Sequence, residues 1–124
     1  MKATIDPSDV TAIIDTREQN PLVLSPLQTT SGTLATGNYS IVGLENIVAI
    51  ERKSLPDLIA CVGRERSRFD REVQRLLAYP VRALIVEACW GEIEMGQWQG
   101  KVSPNAVLVS LMGWIAAGLP IVLH

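Results

Sequence analysis

Glu51 and Lys53 stand two residues apart at the end of a strand-like run, Ile47 to Ile50, and a period of two puts both side chains on one face. A carboxylate beside an ammonium can hold a divalent cation and steady a phosphate or a water nucleophile. Hydrolysis of a phosphodiester asks for this combination. Charge builds on the nonbridging and leaving oxygens while the attacking water loses a proton. Asp15 and Glu18 follow an earlier apolar run and Asp57 lies just beyond Glu51. If the strands Ala12 to Ile14 and Ile47 to Ile50 pair, these acids converge on one edge of a sheet. The spacing alone is weak evidence, because a Glu-x-Lys is in most proteins a surface ion pair contributing about 0 to 1 kcal/mol. The only histidine is His124, so a histidine relay, a zinc cluster and a Cys-His pair have little support.

The elements that must position these groups can be read from apolar periodicity and from breakers. Ala12 to Ile14 is a short core strand delivering Asp15 at its C-terminal end, and Asn20-Pro21 marks a turn. Thr33 to Ala35 is a weak strand candidate stopped by Gly37 and Asn38. Tyr39 to Val42 resumes extended structure and Ile47 to Ile50 runs on through Glu51, Arg52 and Lys53, which together suggest an antiparallel meander. Ser54 can cap a short helix ending at Gly63, with Pro56 in its first turn. Phe69, Val73, Leu76 and Leu77 recur at helical spacing from about Glu65 to Ala78, with Arg68, Arg71, Glu72 and Arg75 on the wetter sides. Ala83 to Val86 reads as a buried strand, residues 90–102 as a loop with short helical content, Ser103-Pro104 to Gly118 as a capped helix, and Pro120 to Leu123 as a last strand. Trp114 belongs to the core by this pattern.

The 124 residues fit one domain, 1–124, and 48% hydrophobic content allows a core without disulfides. Cys61 and Cys89 read as a reduced, buried pair. The apolar stretch Ala106 to Leu119 is too short to cross a bilayer, and no long apolar segment follows Lys2, so a cytoplasmic (or nuclear) location is expected. A net charge of -2 argues against coating nucleic acid by bulk charge. Charge is nevertheless concentrated locally. Between Glu51 and Arg75 lie seven of the 11 basic residues against five acidic ones. Arg64, Arg66 and Arg68 are the candidates for facing phosphates; the competing reading is a solvated helix with ion pairs such as Arg68 to Glu72.

Three ordered blocks then change the weight of the short motifs. Asp15-Thr16-Arg17-Glu18, Gly37-Asn38-Tyr39-Ser40 and Glu51-Arg52-Lys53-Ser54-Leu55-Pro56-Asp57 resemble the nuclease domain of the XPF family. Its signature is D-x-R-E, then G-D, then E-R-K with an aspartate after three further residues. The resemblance continues through the basic helix, the strand Ala83 to Glu87 and the late helix and strand, and so spans nearly the whole chain. It implies an α/β fold of the restriction-endonuclease-like type, with a central mixed β-sheet flanked by helices. It also implies a metal-dependent DNA endonuclease acting on branched or flap-bearing DNA. By motif, catalytic roles fall to Asp15, Arg17, Glu18, Glu51, Arg52, Lys53 and Asp57, with Mg²⁺ or Mn²⁺ held by Asp15, Glu51 and the residue at position 38.

That residue is the departure. Asn38 stands where the family signature has a metal-binding aspartate; an amide oxygen can ligate but brings no charge and binds a hard cation less well. Family enzymes commonly add a helix-hairpin-helix module that grips duplex DNA and supports dimerisation, and 124 residues leave no room for it. The resemblance therefore implies DNA as the partner, with a homodimer or a separate DNA-gripping subunit or domain completing the assembly. Two functions stay open: an endonuclease whose activity is weakened or abolished by Asn38, and a catalytically inactive DNA-binding or assembly domain that keeps the nuclease fold.

Overall fold

The computed structural model describes residues 6–124. A six-stranded mixed sheet runs in the order β2-β1-β3-β4-β5-β6. The strands are β1 (Thr11–Asp15), β2 (Gln28–Gly32), β3 (Tyr39–Ile41), β4 (Val48–Ser54), β5 (Val81–Glu87) and β6 (Ile121–Leu123). Four helices connect the later strands: α1 (Leu55–Val62), α2 (Arg66–Leu77), α3 (Trp90–Met95) and α4 (Pro104–Ala116). This is an α/β architecture with a central mixed sheet flanked by helices, as expected.

The half formed by β4, β5 and β6 is parallel, with Glu51 opposite Leu84 and Leu84 opposite Ile121. Parallel neighbours need long crossovers, and the helical pairs α1-α2 and α3-α4 supply them. Local chemistry starts two of these helices. The Ser54 hydroxyl accepts from the Asp57 N–H at 3.3 Å, and the Ser103 hydroxyl accepts from the Ala106 N–H at 3.1 Å, each cap followed by proline in the first turn. Gly118, with φ +109°, turns the chain from α4 toward β6.

The main core gathers Ala49, Leu84 and Val86 from the sheet against Leu58, Phe69, Val73, Leu76, Val107, Leu111 and Trp114 from the helices. Phe69 and Trp114 meet edge to face, 4.9 Å between ring centres, at 75°. This contact adds about 0.5 to 1.5 kcal/mol to their area burial. Trp114 is thus in the core as its apolar helix indicates.

The first half departs from a simple meander. Only β1-β3 and β3-β4 are antiparallel; β1 and β2 are parallel, so the loop between them carries the chain back to the start of the sheet. The extra strand is Gln28–Gly32 and not Thr33 to Ala35. It is a polar, exposed edge strand, and without a buried face it has no hydrophobic alternation to reveal it. Nor do β1 and β4 pair directly, because β3 lies between them. Cys61 is buried but Cys89, at the start of α3, is exposed, so the two are not a buried pair. Among the described residues no helix is long and apolar enough to cross a membrane.

Candidate active site

Strand alternation sorts the E-R-K block onto two faces. Glu51 and Lys53 share one, and Arg52 points to the other. On the first face Lys53 Nζ lies 3.3 Å from Glu51 and 3.6 Å from Glu72 of α2, and 5.4 Å from the centre of the Phe69 ring. Glu51 is only 8% exposed. Burial raises its carboxyl above the ordinary glutamate value, Lys53 opposes that and Glu72 adds to it. Burial would lower the Lys53 ammonium, but the two carboxylates outweigh it and hold it above the ordinary lysine value.

On the second face Arg52 Nε donates to Glu18 at 2.7 Å, and its two terminal nitrogens reach Glu18 and Glu87. Tyr39 also donates its hydroxyl to Glu18, at 3.1 Å. Glu18 is held below the usual glutamate value, first by Arg52, and Arg52 is raised, first by Glu18. Arg52 and Glu18 therefore clamp the loop after β1 to β4, with Glu87 of β5 completing the set.

Asn38 joins the strands from their middle. Its carbonyl accepts from the Asp15 N–H at 2.8 Å and its N–H donates to Ile50 at 2.7 Å. Its side-chain oxygen accepts from the Arg52 N–H at 2.8 Å. Because an N–H requires an acceptor, this bond fixes which end of the amide is oxygen. The other end is an NH₂ donor. Gly37 just before it has φ +84°, and a Cβ there would meet the Ile50 carbonyl oxygen at 2.9 Å, so only glycine permits this approach of backbone to backbone.

Asp15, 2% exposed, is equally engaged. It accepts from the Leu34 N–H at 2.9 Å and from Arg17 Nε at 2.8 Å, with Arg17 Nη2 at 3.3 Å. Burial alone would raise its carboxyl, yet the bonds from Arg17 and Leu34 together hold it below the ordinary aspartate value. Asp15, Arg17, Asn38 and Glu51 border one cavity of about 260 Å³, joined there by Glu72 and Arg75 of α2. Asp15 and Glu51 thus open onto the same space. Glu18 and Arg52 belong to the opposite ionic clamp. Asp57 is exposed in the first turn of α1 and is not among the residues bordering the cavity.

The basic residues named from sequence also separate. Arg66 is held by Asp70 at 3.2 Å and by the Ser110 hydroxyl at 2.8 Å, and lies 5.1 Å from the centre of the Trp114 ring. Arg68 pairs with Glu65 at 3.2 Å and not with Glu72, which is drawn inward to Lys53. Arg64 borders a second, more apolar groove of about 730 Å³ with Pro56, Trp98 and Lys101. Glu72 and Arg75 are the cavity residues that sequence reasoning left out. Their three-residue spacing puts them on one helix flank, but only the docking of α2 on the sheet shows which flank faces the acids.

As a cation site the set falls short. Among the described residues no three histidine, cysteine or carboxylate groups are placed to hold a metal ion. The Asn38 oxygen is already accepting a hydrogen bond, and both Asp15 oxygens face donors. Around the cavity each carboxylate already has a cation, Asp15 that of Arg17, and Glu51 and Glu72 that of Lys53. Such a balanced site does not call for a divalent cation.

Among solved structures, XPF from Aeropyrum pernix is similar, with a TM-score of 0.70 at 18% identity over 92% of this chain and 56% of that one. XPF from Aeropyrum pernix in complex with DNA gives 0.65 at 17% identity, over 93% and 56%. At these identities the likeness is one of fold, and this chain spans just over half the length of those chains. No curated protein sequence matches it. The family model of the ERCC4 domain, by contrast, matches residues 14–122, and on that match, which runs from the end of β1 into β6, the chain belongs to the ERCC4 domain family.

Proposed function

We propose that this chain is the DNA-cutting module of a divalent-metal-dependent endonuclease acting on branched or flap-bearing DNA, with hydrolysis curtailed at position 38. The observation that carries the reading is the cavity where Asp15 and Glu51 open beside Asn38 while Lys53 is held against Glu51. In the reaction Lys53 and Arg17 would steady the charge that grows on the phosphate oxygens. The Arg52–Glu18 clamp would hold β4 and the β1 end in register. With a carboxylate in place of the amide at position 38, that group together with Asp15 and Glu51 would be the set able to hold Mg²⁺ or Mn²⁺, which would supply water activation and phosphate polarisation. The family resemblance, the fold shared with an XPF solved with DNA, and the local cluster of arginines support DNA as the partner. A second copy of this chain, or a separate DNA-gripping domain, would supply the remaining grip.

The alternative, a catalytically silent DNA-binding domain, is favoured by one feature: the Asn38 side chain has its oxygen engaged and an NH₂ donor at its other end. Asn38→Asp separates the two. One aspartate oxygen can keep the Arg52 N–H while the other replaces the NH₂, adding a third acid to Asp15 and Glu51 and tipping the balanced cavity negative. The test is Mn²⁺ calorimetry and cleavage of duplex, single-stranded, flap and branched DNA by both forms. Stronger Mn²⁺ binding and new metal-dependent cleavage in Asn38→Asp, lost again when Lys53→Ala is added, are expected. A folded Asn38→Asp protein that binds DNA and cuts none of these substrates would leave the silent domain as the function.

A further inference from the structure

The arginines of α2 fall into two sets with different occupations. At 100° per residue, Phe69, Val73 and Leu76 face the core, and Arg66 and Asp70 lie on the flank toward α4, where Ser110 and Trp114 hold Arg66. Arg68, Arg71 and Arg75 recur at the spacing of a single stripe on the other flank, beside Glu72. Glu72 and Arg75 border the cavity that contains Asp15 and Glu51.

The cations near the cavity also differ in what neutralises them. Arg17 has Asp15, Arg52 has Glu18 and Glu87, and Lys53 has Glu51 and Glu72. Arg68 has only the half-buried Glu65, and no ion pair or side-chain hydrogen bond joins Arg71 or Arg75 to a described residue. Both are exposed. At 1.5 Å per residue the stripe from Arg68 to Arg75 is about 10 Å long, the length of duplex axis over which one strand carries roughly three charges. A flexible guanidinium with no internal partner is available to an external anion, and its fork matches phosphate oxygens.

We propose that Arg68, Arg71 and Arg75 form a phosphate track that leads one DNA strand into the cavity, with Arg75 contacting the phosphate next to the one placed between Asp15 and Glu51. This rests on the reading of the cavity as a phosphodiester site, and it moves the main backbone contact from Arg64, Arg66 and Arg68 to the stripe that runs from Arg68 along α2 to Arg75. Phosphate contacts carry no base code, so the track serves any sequence.

The test measures fluorescence anisotropy of labelled duplex and flap DNA against salt for the whole chain, Arg71→Gln, Arg75→Gln, the double variant and Lys101→Gln, with folding checked by circular dichroism. Lys101 lies on the separate groove beside Arg64 and Trp98, so its variant controls for bulk charge. Each of the two arginine variants should flatten the slope of log affinity against log salt by about 0.9 on duplex, and the double variant by about twice that. Lys101→Gln should leave the slope as it is. Unchanged slopes in the arginine variants, equal flattening in Lys101→Gln, or no binding at the lowest salt would overturn the track. In the Asn38→Asp background, Arg75→Gln should slow cleavage at least tenfold while Arg75→Lys recovers part of it. Cleavage at an unchanged rate would remove Arg75 from the cavity's edge. If Asn38→Asp does not cut but the slopes fall as expected, the track stands and only the hydrolytic reading fails.

Discussion

Replacing Glu18 by glutamine removes one charge from the Arg52 clamp and keeps nearly the same shape. The Glu18 side chain is 4% exposed and that of Arg52 13%, and Glu18 accepts two Arg52 nitrogens and the Tyr39 hydroxyl. Removing one partner of a buried pair costs about 3 to 5 kcal/mol. Here Arg52 keeps Glu87, itself 36% exposed, which places the loss nearer about 2 to 3 kcal/mol. With an unfolding entropy of roughly 2.1 cal/mol/K per residue, a chain of this size should lose about 8 to 12 °C in thermal midpoint at pH 7. The pH dependence supplies a second check. Glu18 is held below its unfolded value of 4.5, so its contribution is fully present above that pH and is lost as pH falls through the lower, folded value. The wild-type protein therefore approaches the Glu18→Gln variant in stability as pH drops below about 4.5. Paired thermal melts by circular dichroism from pH 7 down to pH 3 measure both effects. A drop of less than about 2 °C at pH 7, or a gap that does not narrow in acid, would refute the clamp as a source of stability.

Gly37→Ala should cost about 1 to 2 kcal/mol for the left-handed backbone alone, and more because its Cβ meets the Ile50 carbonyl at 2.9 Å; urea denaturation measures it, and an unchanged midpoint would show that the turn adapts. Arg66→Ala should lower stability by about 1 to 3 kcal/mol through the lost charged hydrogen bonds to Ser110 and Asp70 and the Trp114 contact, while leaving the salt slope of DNA binding unchanged; a flatter slope would put Arg66 on the phosphates. Burial pushes the Cys61 thiol up to about 11, whereas Cys89 is exposed. At pH 8 a thiol reagent should therefore modify Cys89 quickly and Cys61 only on unfolding, and two equally fast thiols, followed by mass spectrometry, would contradict the packing around α1.

The sequence by itself determined most of the local structure and the identity of the candidate residues. Ser54 with Pro56, and Ser103 with Pro104, start helices through their own hydroxyls and rings, so their effect needs no distant partner. The apolar spacing of Phe69, Val73 and Leu76 shows which face of α2 is buried, and the ordered blocks from Asp15 to Asp57 name the family. Tertiary structure alone decided what those groups do to one another. The polar edge strand Gln28–Gly32 has no periodic signature because neither face is buried, and its parallel pairing with β1 depends on a connection whose path is not encoded in residue spacing. The E-R-K block reads as one motif, yet strand alternation sends Glu51 to the cavity with Lys53 held against it, and Arg52 to Glu18 and Glu87. Glu72 and Arg75 join the cavity only because α2 docks with that flank toward β4. Asn38 shows the division most clearly. Its missing charge is visible in the sequence, but that its oxygen is committed to the Arg52 N–H follows only from the strands that fold around it, because a hydrogen bond between residues so far apart in the chain exists only once the sheet has set their separation.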